Sequence, residues 1–150
     1  MKLREIYMGQ ALREAVKAYE ADEVPVGAVI VHEGEIIARA HNQIKLLKDP
    51  TAHAEMIAIT QAAAYLSNER LTGCELYVTL EPCSMCVGAA VLGRLSSIVF
   101  GASDPKTGAC GSVVDLAKPG LFNHNIEISG GVMENECRVL LQKFFAGKRG

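Results

Sequence analysis

Proline is scarce in this chain, with 5 residues in 150, and no apolar run approaches the ~20 residues that a membrane helix requires. Nor is there an excess of basic charge: 15 Lys and Arg stand against 17 Asp and Glu, a formal net charge of −2. The first shortage argues against a disordered segment. The second excludes a membrane-spanning helix. The third excludes a surface that is basic throughout, so any basic patch must be local. The opening Met1-Lys2-Leu3-Arg4-Glu5 does not read as a signal peptide. What remains is a 49% apolar chain of 150 residues, long enough to bury a substantial core and expected to form a single domain over 1–150.

The pattern of elements is legible in outline. Met8, Leu12, Ala15 and Tyr19 recur at a helical period within 3–20. The segments 26–31 and 35–40 are strand-like, and Glu33-Gly34 between them reads as a tight hairpin turn. A loop over 42–49 leads to a helix over 52–66 with Met56, Ile59 and Ala63 on one side. A strand over 74–80, a helix over 83–93 and a strand over 97–101 follow, then a long loop, a short strand near 127–129 and a helix over 134–145. Helices interleaved with strands in this order predict an α/β protein, a three-layer α/β/α sandwich around a central mixed sheet. No repeat, linker or low-complexity segment interrupts it.

The chemistry is concentrated in His53-Ala54-Glu55 and Pro82-Cys83-Ser84-Met85-Cys86. Zinc takes Cys sulfur and His nitrogen in a tetrahedron, and a catalytic site uses three protein ligands so that water can hold the fourth position. His53, Cys83 and Cys86 supply those three, and Glu55 sits where it can handle the water's proton. Cys83 and Cys86 are three apart, on one face of a first helical turn that Pro82 suits. His53 and Glu55 are two apart, roughly 200° round a helix, so they share a site only near a helix N-terminus, with Thr51 as its cap. Both halves then lie at positive helix ends, which favour thiolate over thiol. A lone Cys-x-x-Cys leaves a structural zinc or a redox pair open. His-x-Glu upstream tips the reading to catalysis, because the two motifs together are the signature of zinc nucleobase deaminases. Cys74, Cys110 and Cys137 read as ordinary packing thiols, and the cysteine usage suits a reducing cytoplasm.

These motifs, with Val24-Pro25-Val26-Gly27-Ala28, Asp49-Pro50-Thr51 and Phe100-Gly101-Ala102-Ser103-Asp104-Pro105-Lys106-Thr107-Gly108, resemble the cytidine deaminase superfamily. The likeness runs almost end to end. The zinc motifs specify only the superfamily; Val24–Ala28 and the 100–108 loop resemble its tRNA-specific adenosine deaminase branch. The resemblance implies a cytidine deaminase-like fold, one Zn2+ per subunit, a homodimer in the cytoplasm, and hydrolytic conversion of adenosine to inosine at the wobble position of a tRNA anticodon stem-loop. A deaminase of a free base or nucleoside (guanine, cytosine or cytidine) is the alternative, and a zinc-stabilised RNA-binding protein without turnover is a third reading that Glu55 speaks against.

The same resemblance implies roles around the base. Asn42 becomes a substrate-binding amide, against the plain reading of a turn residue. The backbone at Ala54 and the side chain of Val24 join the base pocket. Asp104 and Lys106 fall in the RNA-contacting loop, where solvated loop charges are the bland alternative. His124 is either an RNA contact or a structural imidazole. Phe144 and Phe145 pack the last helix, with Phe145 edging the cleft. Arg138, Lys143, Lys148 and Arg149 form a basic stretch without an acidic residue between 138 and 150. One departure is Gln43, where the family often carries Arg beside the substrate Asn.

Overall fold

The computed structural model describes residues 2–149. In chain order the elements are α1 (Leu3–Glu20), β1 (Gly27–His32), β2 (Glu35–His41), α2 (Ile44–Leu47), α3 (Ala54–Leu66), β3 (Cys74–Leu80), α4 (Ser84–Leu92), β4 (Ser97–Ala102), β5 (Glu127–Ser129) and α5 (Glu134–Arg149). The five strands form one mixed sheet in the order β2-β1-β3-β4-β5. β1 pairs antiparallel with β2 and β3, while β3–β4 and β4–β5 are parallel. Glu33 and Gly34, at φ 51° and 78°, make the tight turn of the β1–β2 hairpin.

Strand residues alternate between two cores. Ala28 and Ile30 of β1, Leu76 and Val78 of β3, and Ile98 and Phe100 of β4 pack with Ala54, Ala58 and Ala62 of α3. Val29, Val31, Tyr77 and Val99 point the other way, against Tyr7, Met8 and Ala11 of α1 and Cys137 of α5. With helices on both faces, the inner strands β1, β3 and β4 are buried on both sides, which explains their apolar runs, while the edge strands β2 and β5 are more exposed. The three-layer α/β sandwich expected from the element order is the fold observed.

Several local expectations change. The buried stripe of α1 is Tyr7, Met8, Ala11, Ala15 and Ala18, with Leu12 only half-buried and Tyr19 exposed. The stripe is rotated because α1 lies hard against β1: a Cβ at Gly27 would collide with the Ala11 carbonyl and the Ala15 nitrogen. Only the alanine face permits that approach. In α3 the sheet-facing residues are likewise Ala54, Ala58 and Ala62, and Met56, Ile59 and Ala63 flank them half-buried. Part of the 42–49 loop is helical, as α2, and the last helix runs on to Arg149.

The topology gathers three chain segments at one end of the sheet. The Leu80↔Ala102 register brings the C-terminal ends of the parallel β3 and β4 together, opening into Glu81-Pro82-Cys83 and the 103–112 loop. β2 runs alongside β1 in the Gly27↔His41 register and delivers Asn42 to the same end. Sites in open α/β sheets form at such carboxyl ends.

Candidate active site

His53 and Cys83 are the N-cap residues of α3 and α4, both extended, at φ −71° and −78°. This corrects two expectations: Thr51 does not cap α3, and Pro82 precedes the cap of α4 without entering its first turn. Thr51 instead bonds through its N–H and hydroxyl to the Asp49 carboxylate, at 2.8 and 2.7 Å. A residue just outside a helix projects past its end, so both ligand side chains reach the same point from separate helices. Cys86, two residues into α4, reaches it from within the first turn.

The distances test whether a metal fits. His53 Nδ1 lies 3.7 Å from Cys83 Sγ and 3.6 Å from Cys86 Sγ, and the two sulfurs are 3.8 Å apart. A tetrahedral Zn2+ with its usual bond lengths places two sulfurs about 3.8 Å apart and a sulfur and a nitrogen about 3.6 Å apart. The three ligand atoms therefore already sit at zinc spacing. They form a cluster able to hold a metal ion.

Electrostatics among these groups follow from their contacts. The hydrogen bond between the Cys83 and Cys86 sulfurs, together with His53, brings the Cys83 thiol down to about 4 despite partial burial. Cys86 is correspondingly pushed up, first by that hydrogen bond and then by burial. His53 is raised, chiefly through its contact with the Cys83 sulfur, with a smaller contribution from the Pro50 carbonyl. Glu55 is buried, 4% exposed, and burial raises its carboxyl above the usual range. A buried carboxyl with raised proton affinity beside a cluster able to hold a metal is suited to accepting and returning a proton.

The cluster floors a cavity of about 160 Å3 lined by Val24, Val26, Asn42, Ile44, His53, Glu55, Leu80, Glu81, Cys83, Asp104 and Thr107. It is small beside common ligand pockets of about 300–1,000 Å3, so it suits one ring and excludes larger groups. A groove of about 460 Å3 continues outward, sharing Val24, Leu80, Asp104 and Thr107 and adding Pro105, Lys106, Leu141, Gln142 and Phe145. The sequence-read residues Val24, Asn42, Asp104, Lys106 and Phe145 thus line one cavity and its mouth. Asn42 Oδ1 accepts the Ala54 N–H at 2.8 Å, so the first turn of α3 engages the amide oxygen and the backbone N–H of Ala54 together. The Asn42 NH2 remains for the cavity. Asp104 is half turn-former: its carboxylate accepts from the Lys106 and Thr107 N–H groups and from the Thr107 hydroxyl.

His124 is not brought to this cavity. Its Nε2 lies 2.6 Å from the Leu95 carbonyl oxygen, before β4 begins and at the end of that strand opposite Asp104. Among the basic residues of α5, Arg138 lies 3.8 Å from Glu134, and Lys148 pairs with Asp22 while sitting over the Phe144 ring. The side chain of Arg149 lies outside the described residues.

Three buried carboxylates have no role in the sequence reading, Glu14, Glu23 and Glu81, and the last two hold the loops around the cavity. Glu81, 2% exposed, accepts the N–H groups of Asp104, Cys110 and Ser112 at 3.0, 2.9 and 3.1 Å and the Ser112 hydroxyl. Burial pushes its carboxyl up, but these hydrogen bonds outweigh burial and hold it below the ordinary value. Any Cβ at Gly108 would strike that carboxylate. Glu23, 3% exposed, accepts the N–H groups of Lys45 and Leu46. The signal for Glu23 and Glu81 was a charged residue immediately flanking an apolar, proline-containing motif.

Comparison with known proteins agrees with this chemistry. Residues 3–146 match the model of the MafB19-like deaminase family. The tRNA-specific adenosine deaminase of Bacillus subtilis (strain 168) is 52% identical over 94% of this chain and 88% of its own length. A solved structure from studies of A-to-I editing by tRNA:A34 deaminases at the wobble position of transfer RNA superposes with a TM-score of 0.85 at 44% identity, over 90% of this chain and 98% of that one. The guanine deaminase from Nitrosomonas europaea superposes at 0.80 with 28% identity, over 95% of this chain and 84% of that one. From the cluster, the cavity and these likenesses, the chain belongs to the MafB19-like deaminases and, among them, to the tRNA-specific adenosine deaminases.

Proposed function

We propose that residues 1–150 act as one zinc-dependent deaminase domain that converts adenosine to inosine at the wobble position of a tRNA anticodon. The observation that carries this reading is the buried Glu55 carboxyl lining the same small cavity as a His53–Cys83–Cys86 set at zinc spacing. Zn2+ held by those three residues supplies a Lewis acid that lowers the pKa of water towards ~7 and makes hydroxide available at neutral pH.

The chain's own residues do the rest. The Glu55 carboxylate takes a proton from the attacking water as its oxygen bonds to C6 of adenine, and returns that proton to a ring nitrogen. Glu55 then carries the remaining hydroxyl proton to the amino group, the C6–N bond breaks, ammonia leaves, and the oxygen stays as the C6 carbonyl of inosine. The Asn42 NH2, fixed by the Ala54 bond, donates to an acceptor on the base edge. Val24, Val26, Ile44 and Leu80 enclose the ring and exclude water. The outer groove, with Phe145 46% exposed at its rim and Lys106 beside it, receives the neighbouring nucleotides. Unstacked loop bases are the natural substrate, since a target base must leave its stack to enter the site.

A second copy of the chain completes the particle in this reading. Leu46, Leu47, Tyr65 and Leu92, spread over α2, α3 and α4, are 70%, 53%, 63% and 83% exposed, more apolar surface than the layers of one chain cover. No helix among the described residues is long and apolar enough to cross a membrane. The free cysteines support a reducing compartment, the cytoplasm, as the site of action. The deciding experiment incubates zinc-loaded protein with an anticodon stem-loop carrying adenosine at the wobble position, and in parallel with free adenine, adenosine, guanine and cytidine. Inosine in the stem-loop is expected, with poor turnover of the free compounds. Efficient deamination of guanine or cytidine with an unmodified stem-loop would replace this reading by the free-base one.

A further inference from the structure

The short helix α2 begins without a cap of its own. Its N-cap residue, Gln43, makes no side-chain capping bond. The orphan N–H groups of its first turn are taken instead by a carboxylate far back in the chain: Glu23 accepts from Lys45 N at 3.1 and 3.0 Å and from Leu46 N at 2.9 Å. Lys45 and Leu46 are exposed, so the buried partner is Glu23, and a buried carboxyl left without its hydrogen bonds is costly. Glu23 itself is buried between Asp22, held at φ 60°, and Val24. Val24 lines the small cavity, and so do Asn42 and Ile44, the first residue of α2. The carboxylate therefore joins two walls of the same cavity, one by the covalent chain and one by hydrogen bonds.

We infer that Glu23 is a positioning residue for the target base: by fixing the start of α2 against Val24, it sets where Asn42 and Ile44 hold the ring relative to Glu55. This rests on the deaminase reading above. The outer groove of about 460 Å3 offers the neighbouring nucleotides contacts beyond the cavity, so slackening this one wall should act on the reacting geometry more than on binding. A displacement of about 1 Å at such a distance from the chemistry costs on the order of 100-fold in rate.

The test compares wild type, Glu23→Ala and Glu23→Gln on the wobble-adenosine stem-loop, with kcat expressed per zinc-loaded, folded chain. Glu23→Gln keeps the size of the side chain but turns one acceptor into a donor facing an N–H group, and it carries the test alone if Glu23→Ala does not fold. The expected result is unchanged zinc content, KM within about threefold, and kcat down roughly 10-fold for Gln and roughly 100-fold for Ala. A role confined to folding would lower the melting temperature and the yield while leaving kcat per loaded chain intact. Variants within twofold of wild type in kcat, or with the loss wholly in KM, would overturn the inference. If wild type leaves the stem-loop untouched but deaminates a free base, the functional reading fails instead, and the same kcat comparison on that base still decides the role of Glu23.

Discussion

Cys83 occupies two structural positions: it is the N-cap of α4 and one of three ligand atoms converging on a point shared with α3. Replacing its sulfur by a harder hydroxyl removes a ligand that ties two separate helices together, so Cys83→Ser is expected to lose metal and thermal stability together. Metal content and a melting curve check this; a fully loaded, equally stable variant would contradict the assignment. Glu55 is the opposite case. It lines the cavity but lies outside the ligand cluster, and its carboxyl is buried and raised. Glu55→Ala should therefore keep the metal and the fold while turnover falls by about 10²–10⁴-fold, the usual worth of a positioned acid–base group. Single-turnover assays on metal-replete protein separate the two outcomes, and near-normal rates would place the base elsewhere.

Between residues and molecule lie the loops and helix starts that build the cavity. The 103–112 loop folds round the Glu81 carboxylate, and Gly108 leaves the room that carboxylate needs. Gly108→Ala should push the two apart, raising KM for the stem-loop severalfold and lowering the melting temperature, with metal content preserved. An unchanged KM would show that the loop does not shape the substrate wall. The same scale explains what the sequence reveals. The strands were legible because apolar runs with both faces covered leave little ambiguity, and the metal motif was legible because His53, Glu55, Cys83 and Cys86 carry unusual chemistry at defined spacing. The buried side of α1 was misjudged because close approach at Gly27 selects alanines over the larger Leu12 and Tyr19. α2 escaped notice because its cap comes from Glu23, remote in sequence, and no local pattern encodes that. The sequence leaves His124 open between an RNA contact and a structural imidazole; its bond to the Leu95 carbonyl, a contact only the assembled chain creates, fits the structural role.

At the scale of the molecule, apolar surface and charge both point outward to partners. Light scattering at micromolar concentration is expected to give the mass of two chains, given the exposure of Tyr65 and Leu92; a monomer would count against the paired arrangement. With a net charge of −2, attraction to RNA must come from local cations such as Lys106 and Lys143, so stem-loop binding should weaken steeply as salt rises, and a flat salt response would exclude phosphate contacts as its source. The convergence of α3 and α4 has one more consequence. Neither His53 nor Cys83 makes a side-chain cap hydrogen bond, and although Asn42 takes the Ala54 N–H, both helices turn partly positive first turns towards the same small volume. Each would fray there unless charge of the right sign and ligands of the right reach hold it. In amide hydrogen exchange the opening turns of both helices should then behave as one unit: protected together when metal is bound, and released together on chelation while the sheet they pack against stays closed.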